Sequence, residues 1–158
     1  MNIPIVFCVL GWISIFEGAL MLLPLLTAAI YGEINCAFSF ITSIGISLIL
    51  GLSLICRRPK SKVMYLKEGF VITALGWIIM SIIGSLPFLF SGSINSAVDA
   101  VFETASGFTT TGASILKNVE VLPKSILFWR SFTHWIGGMG VLVFLLMIKP
   151  LSGASNVN

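Results

Sequence analysis

The chain has 158 residues, 57% of them hydrophobic and only 9% charged, with a formal net charge of +3 and a mean hydropathy of +1.06. Soluble domains carry about 25% charged residues, so nine Lys or Arg and six Asp or Glu are too few to cover a water-facing surface. This excludes a soluble enzyme, a disordered chain and a nucleic-acid binder, and leaves an integral membrane protein.

A helix needs about 20 apolar residues to cross a bilayer. The first 32 residues hold one charge, Glu17, and predict a spanning helix at roughly 4–26. Without a basic leader it does not read as a signal peptide. Pro24 near its end marks a bend or stop. An ionisable group within a span is expensive. Glu17 reads as a protonated or hydrogen-bonded structural group, with an ion relay as the competing reading. A second helix is predicted at 36–56, within the charge-free run Ile34 to Cys56. Arg57, Arg58, Lys60, Lys62 and Lys67 crowd the loop that follows. The positive-inside rule puts this loop, and both chain ends, in the cytoplasm, where it would face lipid headgroups.

The third helix is predicted at 68–90, with Pro87 near its end. Residues 91–125 then lie on the outer side, too apolar for a simple linker. Ser93 to Ser96 offer N-cap side chains. Residues 97–106 read as a short helix with Val98, Val101, Phe102 and Ala105 on one helical face and Gly107 as a left-handed cap. This helix is half the length needed to cross, and an uncharged run, Phe108 to Ser114, follows it. Non-helical backbone at membrane depth must be buried or line a water-filled path. Extended carbonyls at Thr109, Thr110, Thr111 and Gly112 could replace the hydration shell of a monovalent cation. The residues alone leave a second reading open, a polar turn on the outer surface.

The fourth helix is predicted at 126–148. Arg130 near its outer end needs a partner at that depth. Glu103 on the short helix is the candidate, and lone snorkelling is the alternative. His134, without another His, Asp or Cys nearby in sequence, reads as a packing residue rather than a pH sensor. Gly137, Gly138 and Gly140 read either as a site of close backbone approach or as a bend. Trp129 fits an aromatic belt at the outer interface. Cys8, Cys36 and Cys56 have no disulfide or metal spacing, and no cofactor motif is present.

Two stretches resemble the Trk/Ktr/HKT superfamily of potassium transporters. One is Asp99-Ala-Val-Phe-Glu-Thr-Ala-Ser-Gly-Phe-Thr-Thr-Thr-Gly-Ala-Ser114. The other is Phe128-Trp-Arg-Ser-Phe-Thr-His-Trp-Ile-Gly-Gly-Met-Gly140. The resemblance implies an all-α integral membrane fold of four transmembrane helices, one re-entrant pore helix and an extended filter strand. It divides the chain into an N-terminal hairpin (1–60), the first of four helix–pore-loop–helix repeats (61–150) and the start of a cytoplasmic linker (151–158). It implies potassium transport in the cell membrane, with K⁺ as the transported ion and no cofactor. K⁺ would be held at Thr110, Thr111 and Gly112, with Glu103, Arg130, Gly137 and Gly138 as structural support. Implied partners are the remaining repeats, a second copy as a homodimer, a cytoplasmic nucleotide-binding subunit and membrane lipid, with no nucleic acid. One repeat supplies a quarter of the carbonyl cage, so the chain reads as part of a longer transporter. The alternative is a non-conducting membrane subunit or remnant.

Overall fold

The computed structural model describes residues 3–56 and 66–153, with side chains of the last helix described as far as Leu142. The basic positions 57–62 and the linker residues 154–158 lie outside the described residues. Among these residues six helices follow in order: α1 (Ile3–Leu20), α2 (Leu22–Tyr31), α3 (Ile34–Ile55), α4 (Leu66–Phe90), α5 (Ala97–Phe108) and α6 (Lys124–Gly153). Among the described residues three stretches are long and apolar enough to cross a membrane: Ile3–Tyr31, Ile34–Ile55 and Lys67–Phe90.

Pro24 does not stop the first helix. Its ring nitrogen cannot donate to the carbonyl four residues back, Leu20, and the helix is interrupted there, at Met21. The ladder resumes at once, because the Met21 N–H bonds the Glu17 carbonyl and the Leu25 N–H bonds the Met21 carbonyl. The stop comes at Gly32, whose φ of 69° is a conformation open to glycine at low cost. Pro87 likewise lies inside α4, which continues to Phe90.

α1 and α3 pack closely because small residues line both. A Cβ on Gly11 would lie 2.6 Å from the Gly51 carbonyl oxygen, and one on Gly18 would lie 3.0 Å from Ser47 Oγ. The Ser47 hydroxyl donates to the Ser14 carbonyl across this contact. With lipid as apolar as the side chains, such close approach replaces the hydrophobic effect as the force that joins helices. α1 also packs on α4, and α2 on α6, so the N-terminal hairpin and the following helices share a core. Met21, Phe40, Ile83, Phe88, Phe108, Ile126 and Trp129 form its centre.

Trp129 is a core residue rather than a belt residue. It is 0% exposed, lies edge-on to Phe40 and Phe108, and donates its indole N–H to the Gly84 carbonyl at 2.9 Å. A buried indole needs such an acceptor. Trp12 and Trp135 are the exposed tryptophans.

Candidate functional site

α5 starts where its cap predicts. Ser96 is the N-cap, and its Oγ accepts the Asp99 N–H at 3.4 Å. Its polar side faces the protein and part of its apolar stripe faces outward. Val98 is 78% and Phe102 46% exposed, whereas Ala100, Glu103, Thr104, Ser106, Gly107 and Phe108 are buried. An apolar stripe turns inward only when water lies outside. In a membrane protein the polar stripe seeks the protein interior, where it finds hydrogen-bond partners.

Three glycines seat this short helix. A Cβ on Gly107 would overlap Thr133 Oγ1 of α6, and one on Gly137 would overlap the Phe108 carbonyl. A Cβ on Gly84 of α4 would lie 2.8 Å from the Thr104 methyl and 2.9 Å from the Phe108 ring. Gly137 therefore permits close backbone approach, and α6 runs through it as an unbroken helix. Gly138 meets only the Thr110 methyl at 3.9 Å, and Gly140 faces the Trp77 ring.

Gly107 is not the left-handed cap, because contact with Thr133 is what requires glycine there, and the helix continues to Phe108. The helix closes instead with the Thr111 N–H bonded to the Ser106 carbonyl and the Thr110 N–H bonded to the Gly107 carbonyl. This is the paired closure of a Schellman motif, whose left-handed position usually holds glycine. Thr110 occupies it, with φ at 55°, an outlier for a β-branched residue. Gly112 is also left-handed, with φ at 76°. The expected extended strand is thus a wrapped loop, because two left-handed residues turn it back on the helix end. No strand occurs among the described residues.

The loop is exposed from Thr109 to Ile115 yet firmly held. The Thr109 hydroxyl donates to the Ala105 carbonyl and lies 2.8 Å from the Thr111 hydroxyl. The Ser106 hydroxyl donates to the Ala113 carbonyl at 2.6 Å. Among the described residues no hydrogen bond is donated to the carbonyls of Thr109, Thr110, Thr111 or Gly112.

Glu103 holds the far side of the loop. Its carboxylate is 1% exposed and accepts from Arg130 Nε at 2.6 Å, the Ser114 hydroxyl at 2.9 Å and the Ile115 N–H at 3.0 Å. The structure thus brings Glu103 and Arg130 together, and adds Ser114 and Ile115, which the sequence did not point to. His134 Nδ1 lies 2.9 Å from the Arg130 carbonyl.

Glu33, another residue without a sequence signal, reaches the start of α6. Its carboxylate accepts from the Lys124 N–H at 2.6 Å, the Ser125 N–H at 3.1 Å and the Ser125 hydroxyl. Partial burial opposes its ionisation, but the Ser125 and Lys124 bonds and the Lys124 charge outweigh it and hold the carboxyl below its ordinary range.

Comparison with known proteins agrees with this architecture. The profile of the TrkH family, described as cation transport proteins, matches residues 36–157. An uncharacterized cation transporter of Methanocaldococcus jannaschii is 43% identical over 92% of this chain and 30% of its own length. The Trk system potassium uptake protein TrkH of Escherichia coli K12 is 36% identical over 94% of this chain and 31% of its own. The crystal structure of the potassium transporter TrkH from Vibrio parahaemolyticus superposes with a TM-score of 0.86 at 34% identity, covering all of this chain and 34% of that one. The chain spans about a third of the length of the curated relatives it matches. Those relatives are transporters rather than enzymes, and the apolar helices here agree with a place in the membrane. The chain belongs to the TrkH family of cation transport proteins.

Proposed function

We propose that this chain supplies one of four pore repeats of a potassium transporter, with α5 as a re-entrant pore helix between the spanning helices α4 and α6. In this reading the Thr109–Gly112 carbonyls face a dehydrated K⁺. The observation that supports it most is the combination at this loop. Its carbonyls receive no hydrogen bond among the described residues, while its start is held by the Ser106 and Ala105 carbonyls and the residues after it by the Ser106 hydroxyl and the Glu103 carboxylate. Free carbonyls on a held backbone can substitute for an ion's water shell. No carboxylate stands within Thr109–Gly112, which disfavours divalent ions. The negative end of the α5 dipole would add to the attraction.

The remaining repeats, a second copy and a cytoplasmic nucleotide-binding subunit complete the assembly in this proposal, with the 57–67 loop and both ends in the cytoplasm. Rubidium flux into proteoliposomes carrying the complete transporter tests it. Gly112→Ser should weaken discrimination against Na⁺. Unchanged flux and unchanged selectivity would remove the filter assignment.

A further inference from the structure

Glu17 is a buried ionisable group that the filter reading leaves unused. It lies on α1 and is 2% exposed, and neither carboxyl oxygen has a hydrogen-bond partner among the described residues. Its position is fixed by what surrounds Gly84. The point where a Gly84 Cβ would stand lies 3.0 Å from Glu17 Oε1, 2.8 Å from the Thr104 methyl and 2.9 Å from the Phe108 ring. The carboxyl of α1 therefore meets the last two turns of α5 over a bare stretch of α4.

Among the described residues no charged side chain is placed to neutralise it. On α5, Glu103 is engaged with Arg130, Ser114 and Ile115. On α4, Glu68 stands about 24 Å along the helix from Gly84, at 1.5 Å per residue. On α3, Cys36 lies about two turns from Ile44, which faces the neighbouring Gly18. Tyr31 at the end of α2 is exposed. An isolated carboxylate in apolar surroundings costs far more than a neutral acid.

We propose that Glu17 is a proton-binding site at the α1–α4–α5 junction, and that its bound proton keeps α5 seated. When the proton leaves, the new charge faces the negative end of the α5 dipole and demands water where the Thr104 methyl and Phe108 ring now pack. The Phe108 backbone is seated on Gly137, so a displacement of Phe108 disturbs that seat. Release of the proton thus loosens α5 from its C-terminal end. Where α5 is the pore helix, as proposed above, this makes conduction fall at alkaline pH; the proton site itself does not depend on that reading.

The test needs no transport. Infrared spectra of the protein in lipid vesicles should show a protonated-carboxyl C=O band at neutral pH that Glu17→Gln removes and that fades in the unsubstituted protein as pH rises. Amide hydrogen exchange across residues 97–108, taken as a ratio of the unsubstituted protein to Glu17→Gln, should climb with pH by up to about tenfold per unit, because opening then releases one proton. No protonated carboxyl in the unsubstituted protein, a band that survives in Glu17→Gln, or a flat exchange ratio would each overturn the proposal. The spectrum of the unsubstituted protein decides the first point even if the variant folds poorly.

Discussion

The Glu33 carboxylate caps a helix that begins 91 residues later, accepting the Lys124 and Ser125 backbone N–H groups and the Ser125 hydroxyl. Helix starts leave N–H groups without partners, and an anion there is stabilised by the helix dipole. Here the cap comes from the turn between α2 and α3, so it also fastens the N-terminal hairpin to α6.

Removing this carboxylate should loosen α6. Glu33→Ala is expected to cost about 1 kcal/mol, the usual worth of a helix cap, and to lower the thermal unfolding midpoint in detergent. The carboxyl is held below its ordinary range, so the folded state binds its proton less readily than the unfolded state does. Its contribution is complete above the ordinary carboxylate value and is lost as pH falls through the lowered one. Unfolding midpoints measured on the acid side should therefore converge for Glu33→Ala and the unsubstituted protein, and stay apart at neutral pH.

Arg130→Gln should cost about 3 kcal/mol, since it leaves the Glu103 carboxylate buried without its countercharge. Exchanging the two charges in Glu103→Arg with Arg130→Glu should recover only part of that loss. The new arginine cannot accept from Ser114 and the Ile115 N–H as the carboxylate does. Denaturation of the single variants and the double variant gives the comparison, and full recovery would mean that those two bonds contribute nothing.

Two adjacent glycines should respond differently. Gly137→Ala drives a methyl into the Phe108 backbone and should cost about 3 kcal/mol, as severe overpacking does. Gly138→Ala meets only a methyl at 3.9 Å and should be nearly neutral. Thermal unfolding of the two variants side by side checks the difference.

The left-handed residues make opposite predictions. Thr110→Gly should raise stability by roughly 0.5–1 kcal/mol, because relief of the left-handed strain exceeds the added entropy of glycine. Gly112→Ala should lower it by about 1 kcal/mol. A Thr110→Gly variant that is more stable but less selective in ion flux would show that the strained threonine serves the loop's shape rather than the fold.

The long helices were legible because charge-free runs of bilayer length have few alternatives, and Ser96 marked the start of α5. The pairing of Arg130 with Glu103 was accessible because a charge within a membrane needs an opposite charge in reach. Other features were hidden for identifiable reasons. Pro24 acts four residues upstream of itself, so the interruption falls at Met21. The apolar stripe of α5 did not say which side faces the protein, since in a membrane the polar side can turn inward. Gly107 suits both a left-handed cap and a close approach, and only Thr133 distinguishes them. Trp129 suits a belt as well as a core until Gly84 supplies its acceptor. Nothing local connects Glu33 with Ser125, or Glu103 with the Ile115 N–H, since these contacts exist only once the chain has folded.

The interruption at Met21 divides the first membrane-crossing stretch into two rods with separate neighbours. The rod before it packs on α3 and α4, and the one after it on α3 and α6. Chimeras that exchange residues 3–20 or 22–31 with those of a relative can therefore be built one at a time, with Met21 as the splice point. The first exchange replaces the helix that carries Glu17, and the second alters the approach to Glu33.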